Sequence, residues 1–199
     1  VGYGGKSENY LFNVQAGIKK TDGFSAINTQ QNPTANPDRD GYSGDFISAR
    51  VEKILRPDAT IGIRVQGARS TADTDNAWAD SPLDAQQFKK RSNSFGLFWH
   101  QAFSSDWISQ LDISTSSLTY EDIENGQRLS SYGLFEGRQN VVRWFNTWQA
   151  ATDTELSFGA DISNDNFKVD RGNAYEMQRD ASGVFAGVTQ KLGACTAQV

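Results

Sequence analysis

Phe46-Ile47-Ser48-Ala49-Arg50-Val51-Glu52-Lys53-Ile54-Leu55-Arg56-Pro57-Asp58-Ala59-Thr60-Ile61-Gly62-Ile63-Arg64-Val65-Gln66 decides the fold. Ile47, Ala49, Val51 and Leu55 alternate with Ser48, Arg50 and Glu52; after a tight link at 56–59, Ile61, Ile63 and Val65 alternate with Gly62, Arg64 and Gln66. A period of two places one residue set on each face of a strand, and helical spacing fits worse. The apolar face carries almost no charge apart from Lys53, which lies close to the short link and can snorkel. An Arg or Lys facing lipid near the bilayer centre would cost about 2–4 kcal/mol. The hairpin therefore reads as transmembrane, with Arg50, Glu52 and Arg64 turned to a lumen, joined there by Asp112 of a later strand.

The same alternation recurs outward in both directions. Tyr10, Phe12, Val14, Ala16 and Ile18 form one face, as do Phe95, Leu97, Trp99 and Phe103, then Trp107, Leu111 and Ile113. Leu156, Phe158, Ala160 and Ile162 follow, and Val184, Ala186, Val188 and Leu192 close the series. The segment 138–150 is less regular, with Val141 and Phe145 opposite Trp144 and Trp148. Short links at 4–9, 56–59, 104–106 and 151–154 alternate with long polar ones at 22–44, 71–90, 122–137 and 169–180. Outer-membrane barrels show this pattern, with short periplasmic turns and longer extracellular loops. Phe103 and Trp107 beside a short link, and Tyr120 and Tyr132 near long ones, suit an interfacial aromatic girdle; ordinary strand packing also favours aromatics.

These readings predict an all-β chain: an antiparallel transmembrane β-barrel meander of about eight strands over 1–193, beginning with the tail 1–4, and an irregular tail at 194–199. Composition agrees. Hydrophobic residues make up 37% and mean hydropathy is −0.58, too little for a large core, while 12% aromatics argue against disorder. A net charge of −5 argues against nucleic acid as a partner. Cys195 is the single cysteine, so no internal disulfide forms. No apolar run is long enough for a spanning helix, which leaves barrel strands open. No signal peptide precedes Val1, so the chain is expected to start after processing or within a longer product.

Thr21-Asp22-Gly23-Phe24-Ser25-Ala26 closing a strand, and Asn36-Pro37-Asp38-Arg39-Asp40-Gly41-Tyr42 opening the next, resemble TonB-dependent outer-membrane receptors. Ser182-Gly183-Val184-Phe185-Ala186-Gly187 and Arg143-Trp144-Phe145-Asn146 resemble further strands of these receptors. Within that family the resemblance is strongest to the vitamin B12 (cobalamin) transporter group and spans nearly the whole chain. It implies a section of a 22-stranded barrel, roughly the second to the ninth strand, in the bacterial outer membrane. The plug domain, the segment that engages TonB and the later strands would lie outside it. The implied partners are membrane lipid or lipopolysaccharide, cobalamin or another chelate, and TonB with the plug. Alternatives are a ferric-siderophore receptor on the same scaffold and a small closed barrel with a structural or adhesin role.

Receptors of the cobalamin group bind calcium in extracellular loops, and Asp38-x-Asp40-Gly41 matches that pattern, with a looser match at Asp73 and Asp75. Asp22, Asp38, Asp40, Asp73 and Asp75 are thus the candidate calcium ligands, beside Asp45 and Asp80 in the same loops. Calcium takes six to eight oxygen ligands in irregular geometry. A solvated acidic loop, where Asp favours turns, is the competing reading. Nothing indicates an enzyme. His100 is the lone histidine and shares a face with Ser94 and Gly96; no nucleophile shows triad or elbow spacing. Gly2-Tyr3-Gly4-Gly5 reads as a turn, not a phosphate cradle, and Glu121, Asp122 and Glu124 read as exposed acids.

Overall fold

The computed structural model describes every residue except Ala26, 77–79, 130–132 and Gly172; the side chains of Arg171 and Asn173 also lie outside the description. Tyr132, one of the expected girdle residues, therefore falls outside the described residues. The chain forms β1 (Gly2–Lys6), β2 (Tyr10–Thr21), β3 (Tyr42–Arg56), β4 (Ala59–Thr74), β5 (Gln86–Ala102), β6 (Trp107–Glu124), β7 (Gln127–Arg128), β8 (Leu134–Ala151), β9 (Thr154–Arg171), β10 (Asn173–Leu192) and β11 (Cys195–Gln198). All join one antiparallel sheet in chain order, with β7 paired to β6 as a side hairpin. Among the described residues, β1 and β11 are its two open edges, so the small closed barrel is not formed.

The decisive hairpin holds. Arg50 pairs with Arg64 and Val51 with Ile63, and the register continues so that Val51, Ile63, Leu97, Ile113, Val142 and Ile162 form one row across six strands. This apolar face is exposed along its length, with Ile63 at 43% and Ile162 at 62%. The opposite face carries the paired charges. Arg50 Nε lies 2.6 Å from Glu52 Oε1, and Arg64 Nη2 lies 2.7 Å from Asp112 Oδ1. The Arg50 guanidinium also stacks 4.2 Å from the centroid of Phe98, which is buried over Gly62. Any Cβ at Gly62 would enter that ring, which is why the strand is bare there.

Five expectations need correction. The link 169–180 is not a long loop: β9 and β10 run to Arg171 and Asn173. The links 71–90 and 122–137 are likewise shortened by the extension of β4, β5, β6 and β8. Beyond the apolar band the apolar residues change face. Phe88, Tyr120, Phe135, Phe167, Val169 and Tyr175 all occupy the face that carries Ser94 and Gly96 lower down. Phe88 stacks on Tyr120 at 5.4 Å, and Phe135 meets Phe167 edge-on at 4.4 Å. Tyr120 therefore does not join a girdle on the apolar face. The tail is also regular, since Cys195–Gln198 pairs with β10 after a turn with Gly193 at φ 64°. Similarly, Gly2-Tyr3-Gly4-Gly5 lies in β1 rather than in a turn.

At the short-turn end the apolar face hides a polar row. Gln101, Ser109 and Asn146 are 4%, 1% and 0% exposed. Tryptophan N–H groups satisfy two of the three: Trp107 Nε1 donates to Asn146 Oδ1 at 3.1 Å and Trp144 Nε1 to Ser109 Oγ at 2.9 Å. Gln101 Oε1 accepts from Arg56 Nη2 at 2.8 Å, and its Nε2 donates to Asp58 Oδ2 at 2.7 Å. Phe103 packs 4.8 Å from Trp107, completing an aromatic cluster around the turn. Buried polar atoms are tolerated only when paired. Asn146→Leu removes the acceptor and strands the Trp107 donor, so it should destabilise the refolded chain by about 1–3 kcal/mol, measured by urea unfolding in detergent.

Candidate acidic site at the long-loop end

The ladder between β3 and β4 builds the site. It runs up to Tyr42 paired with Ala72, and one further bond, Asp73 N–H to the Gly41 carbonyl at 2.8 Å, carries it into the loops. Residues just past the ladder on both sides then face one another. Carboxylate oxygens of Asp38, Asp40 and Asp75 all lie within 4.8 Å of each other.

The loop 22–41 is held to this arrangement by specific contacts. Gly23 has φ 59°, and a Cβ there would sit 1.8 Å from the Asp40 carbonyl oxygen, so only glycine permits the approach. Asp75 Oδ2 accepts Ser25 Oγ–H at 3.0 Å and Ile27 N–H at 3.3 Å, tying the start of the loop to the end of β4. Asp38 N–H donates to Asn36 Oδ1 at 3.2 Å, an Asx turn that aims the Asp38 carboxylate inward. Asn36 Nδ2 in turn donates to the Asp84 carbonyl at 3.4 Å, and Asn125 Nδ2 to Asp84 Oδ1 at 3.0 Å. Three separate loops are thereby knitted together. Asn125 and Gly126 both have positive φ, the Asn-Gly signature of a tight hairpin turn between β6 and β7.

Of the five predicted ligands, Asp38, Asp40 and Asp75 come together. Asp73 sits beside them: its Oδ2 lies against Gly41, and its Oδ1 accepts Gln87 Nε2–H at 2.8 Å. Asp22 is exposed just past β2, and its carboxylate is not among the three that converge. Asp45 is not a loop residue. It lies in β3 and binds Arg69 Nε at 2.7 Å. Ser25, Ile27 and Gln87 were not foreseen, because nothing in their local sequence marks them as partners of a carboxylate 14 to 50 residues away.

The electrostatics suit a cation. The Asp75 Oδ1 atom is buried and accepts no hydrogen bond among the described residues. Partial burial, then the charges of Asp75 and Asp73, push the Asp38 carboxyl above the ordinary carboxylate range. Of the acids 121–124, Glu121 and Asp122 are adjacent in β6 and so point to opposite faces, while Glu124 shares the face of Asp122.

No protein-family model matches this sequence, and neither does any curated protein. Solved structures do resemble it in fold. The copper transporter OprC superposes with a TM-score of 0.52 at 10% identity, over 95% of this chain and 39% of its own. The ferric yersiniabactin uptake receptor FyuA from Yersinia pestis gives 0.50 at 8% identity, over 97% of this chain and 42% of its own. The chain thus spans about two-fifths of the length of either structure, and its sheet has the fold of a section of their barrel walls.

A raised pKa for Asp38 means that the folded chain holds this proton more tightly than the unfolded chain does. The cation-free loops should therefore gain stability as pH falls through the window above the ordinary aspartate value, and lose it as pH rises. Hydrogen exchange corrected for intrinsic rates should show stronger protection of amides 38–41 at pH 4 than at pH 7. Asp38→Asn should flatten that dependence.

Proposed function

We propose that the chain forms part of the wall of a bacterial outer-membrane, TonB-dependent receptor for a scarce nutrient, with cobalamin as cargo and calcium ordering the loops that bind it. The observation that carries this reading is the convergence of Asp38, Asp40 and Asp75 at the long-loop end of a barrel-like sheet. Support for the receptor scaffold comes from the fold shared with a copper transporter and a ferric yersiniabactin receptor. Support for the cobalamin group comes from the resemblance around Asp38-x-Asp40-Gly41. The donor set is hard oxygen, the buried Asp75 Oδ1 offers an open coordination position, and neighbouring carboxylates match the preference of calcium. Asp38, Asp40 and Asp75 would hold the ion, with Asp73 adding charge nearby. The ion would offset carboxylate repulsion and fix 22–41 against β4, presenting an ordered surface to cargo.

No covalent chemistry is needed. Uptake would draw on TonB acting through a plug, and the charged face of the sheet, with Arg50–Glu52 and Arg64–Asp112, suits a wall that meets a polar plug. A ferric-chelate cargo is the second reading, favoured by the fold likeness to the yersiniabactin receptor.

Calorimetric titration of the refolded chain with calcium, then with cyanocobalamin with and without calcium, tests cargo and ion together. Calcium binding that Asp75→Asn weakens at least tenfold, followed by calcium-dependent cobalamin binding, is the expected outcome. Calcium binding without cobalamin binding would leave the cargo assignment unsupported in this chain, and absence of both would sink the ion-ordered loop. Membrane placement has its own test. Leu97→Arg on the apolar face should cost about 2–4 kcal/mol in refolding into bilayers, whereas Ser94→Arg on the opposite face should change stability little.

A further inference from the structure

One tight turn plays no part in the receptor reading. β6 and β7 are joined by Asn125 and Gly126 alone, with Glu124 paired to Gln127 across them. Of the asparagines in the chain, Asn125 is the one followed by glycine. Both turn residues are exposed, and both are left-handed, with φ of 50° and 78°. A Cβ at Gly126 would have nothing within 4 Å, so the space around its backbone is open. Among the described residues the Gly126 N–H donates no hydrogen bond.

That nitrogen is the nucleophile next in the chain to the Asn125 side-chain carbonyl. Attack between neighbouring residues gains from proximity, and glycine has no side chain to block it. Asn125 Oδ1 accepts the Ala85 N–H at 3.0 Å, a donor placed on the atom where negative charge builds as the carbonyl is attacked. Hydroxide removes the Gly126 amide proton, and the nitrogen bonds to Cγ. The Cγ–Nδ2 bond breaks, and the amine leaves as ammonia after taking a proton from water, which regenerates hydroxide. Water then opens the five-membered imide at either carbonyl. One product is aspartate; the other is isoaspartate, which adds a backbone atom to the turn. Nothing in the reaction restores the amide, so the change runs one way.

The same side chain is a clasp between loops. Asn125 Nδ2 donates to Asp84 Oδ1 at 3.0 Å. Asp84 also accepts the Ser81 N–H on Oδ2 at 3.1 Å, and Asn36 Nδ2–H on its carbonyl at 3.4 Å. Asn36 follows Ala35, which is only 1% exposed within the loop 22–41. Either product replaces the Nδ2 donor with a carboxylate facing that of Asp84, so a hydrogen bond becomes a like-charge contact. We propose that Asn125 is a site of spontaneous deamidation, whose conversion unclasps 81–85 and, through Asn36, loosens 22–41. Cargo, membrane and bound ion play no part in it.

The test holds the 199-residue chain, refolded in zwitterionic detergent with EDTA, at 37 °C and at pH 6 or pH 8. Peptide mapping, with fragmentation that separates isoaspartate from aspartate, follows each asparagine. Conversion at Asn125 should be at least tenfold faster than at Asn28, an exposed asparagine of 22–41 followed by Thr29, and faster at pH 8 than at pH 6. Hydrogen exchange at amides 38–41 and 83–85, read at one pH, should then speed up in the aged protein and in N125D. N125D/D84N, with donor and acceptor exchanged, should return it to the starting value. The aged protein carries this readout if N125D fails to fold. Conversion no faster than at Asn28, or full conversion with unchanged exchange, would overturn the proposal, as would a folded double variant that exchanges as fast as N125D.

Discussion

Every side-chain direction in this sheet follows from a continuous antiparallel register running from Tyr10 opposite Lys53 to Gln190 opposite Thr154. A slip of one residue at any ladder would turn each later side chain to the other face. Among the described residues, the register shifts between the long strands fall at Ile54/Arg56 and Gln149/Ala151, both beside short turns where the ladder is about to end. The acidic cluster and the paired arginines both depend on it. Neither is built by a local motif; each arises where rows from several strands come level.

That register divides the sheet into two zones with opposite polarity. Within the band, Val51, Ile63, Leu97 and Ile113 point one way, and Arg50, Arg64 and Asp112 the other. Beyond the band, Arg69 and Arg91 take the first face while Phe88, Tyr120 and Phe135 take the second. Such an inversion is what a strand needs if hydrocarbon covers its outer face only part of the way. Above that level such a face would meet water or headgroups; here it turns polar, and the opposite face packs aromatics.

This inversion also explains what the sequence conceals. The hairpin from Phe46 to Gln66 is legible because its apolar residues keep one parity throughout. Between 169 and 180 the large apolar residues are Val169, Tyr175 and Met177, on the parity opposite to Ile162 and Val184, so the alternation seems to stop where the strand continues. Asp45 was grouped with Asp38 and Asp40 for the same reason, as an acid beyond the last apolar residue of its row. The three converging aspartates were legible as residue types in a turn-rich, glycine-containing loop. Their hydrogen-bond donors were not, because Ser25 and Ile27 reach Asp75 only through long-range folding of 22–41.

The acidic cluster also places a demand on the ladder beneath it. Two carboxylates about 5 Å apart repel by roughly 1 kcal/mol in a water-like medium and about 3 kcal/mol near a protein surface. Donors from Ser25 and Ile27 satisfy one oxygen of Asp75, while the other is buried and accepts no hydrogen bond among the described residues. The bond from Asp73 to Gly41 holds the strands together at this point, and Gly23, whose φ of 59° lets the loop close over Asp40, holds the loop. On the proposed reading, backbone geometry that already holds Asp38, Asp40 and Asp75 together would preorganise the ligands of a cation. In such a site the affinity of a bound ion would come from strands that had already placed its ligands.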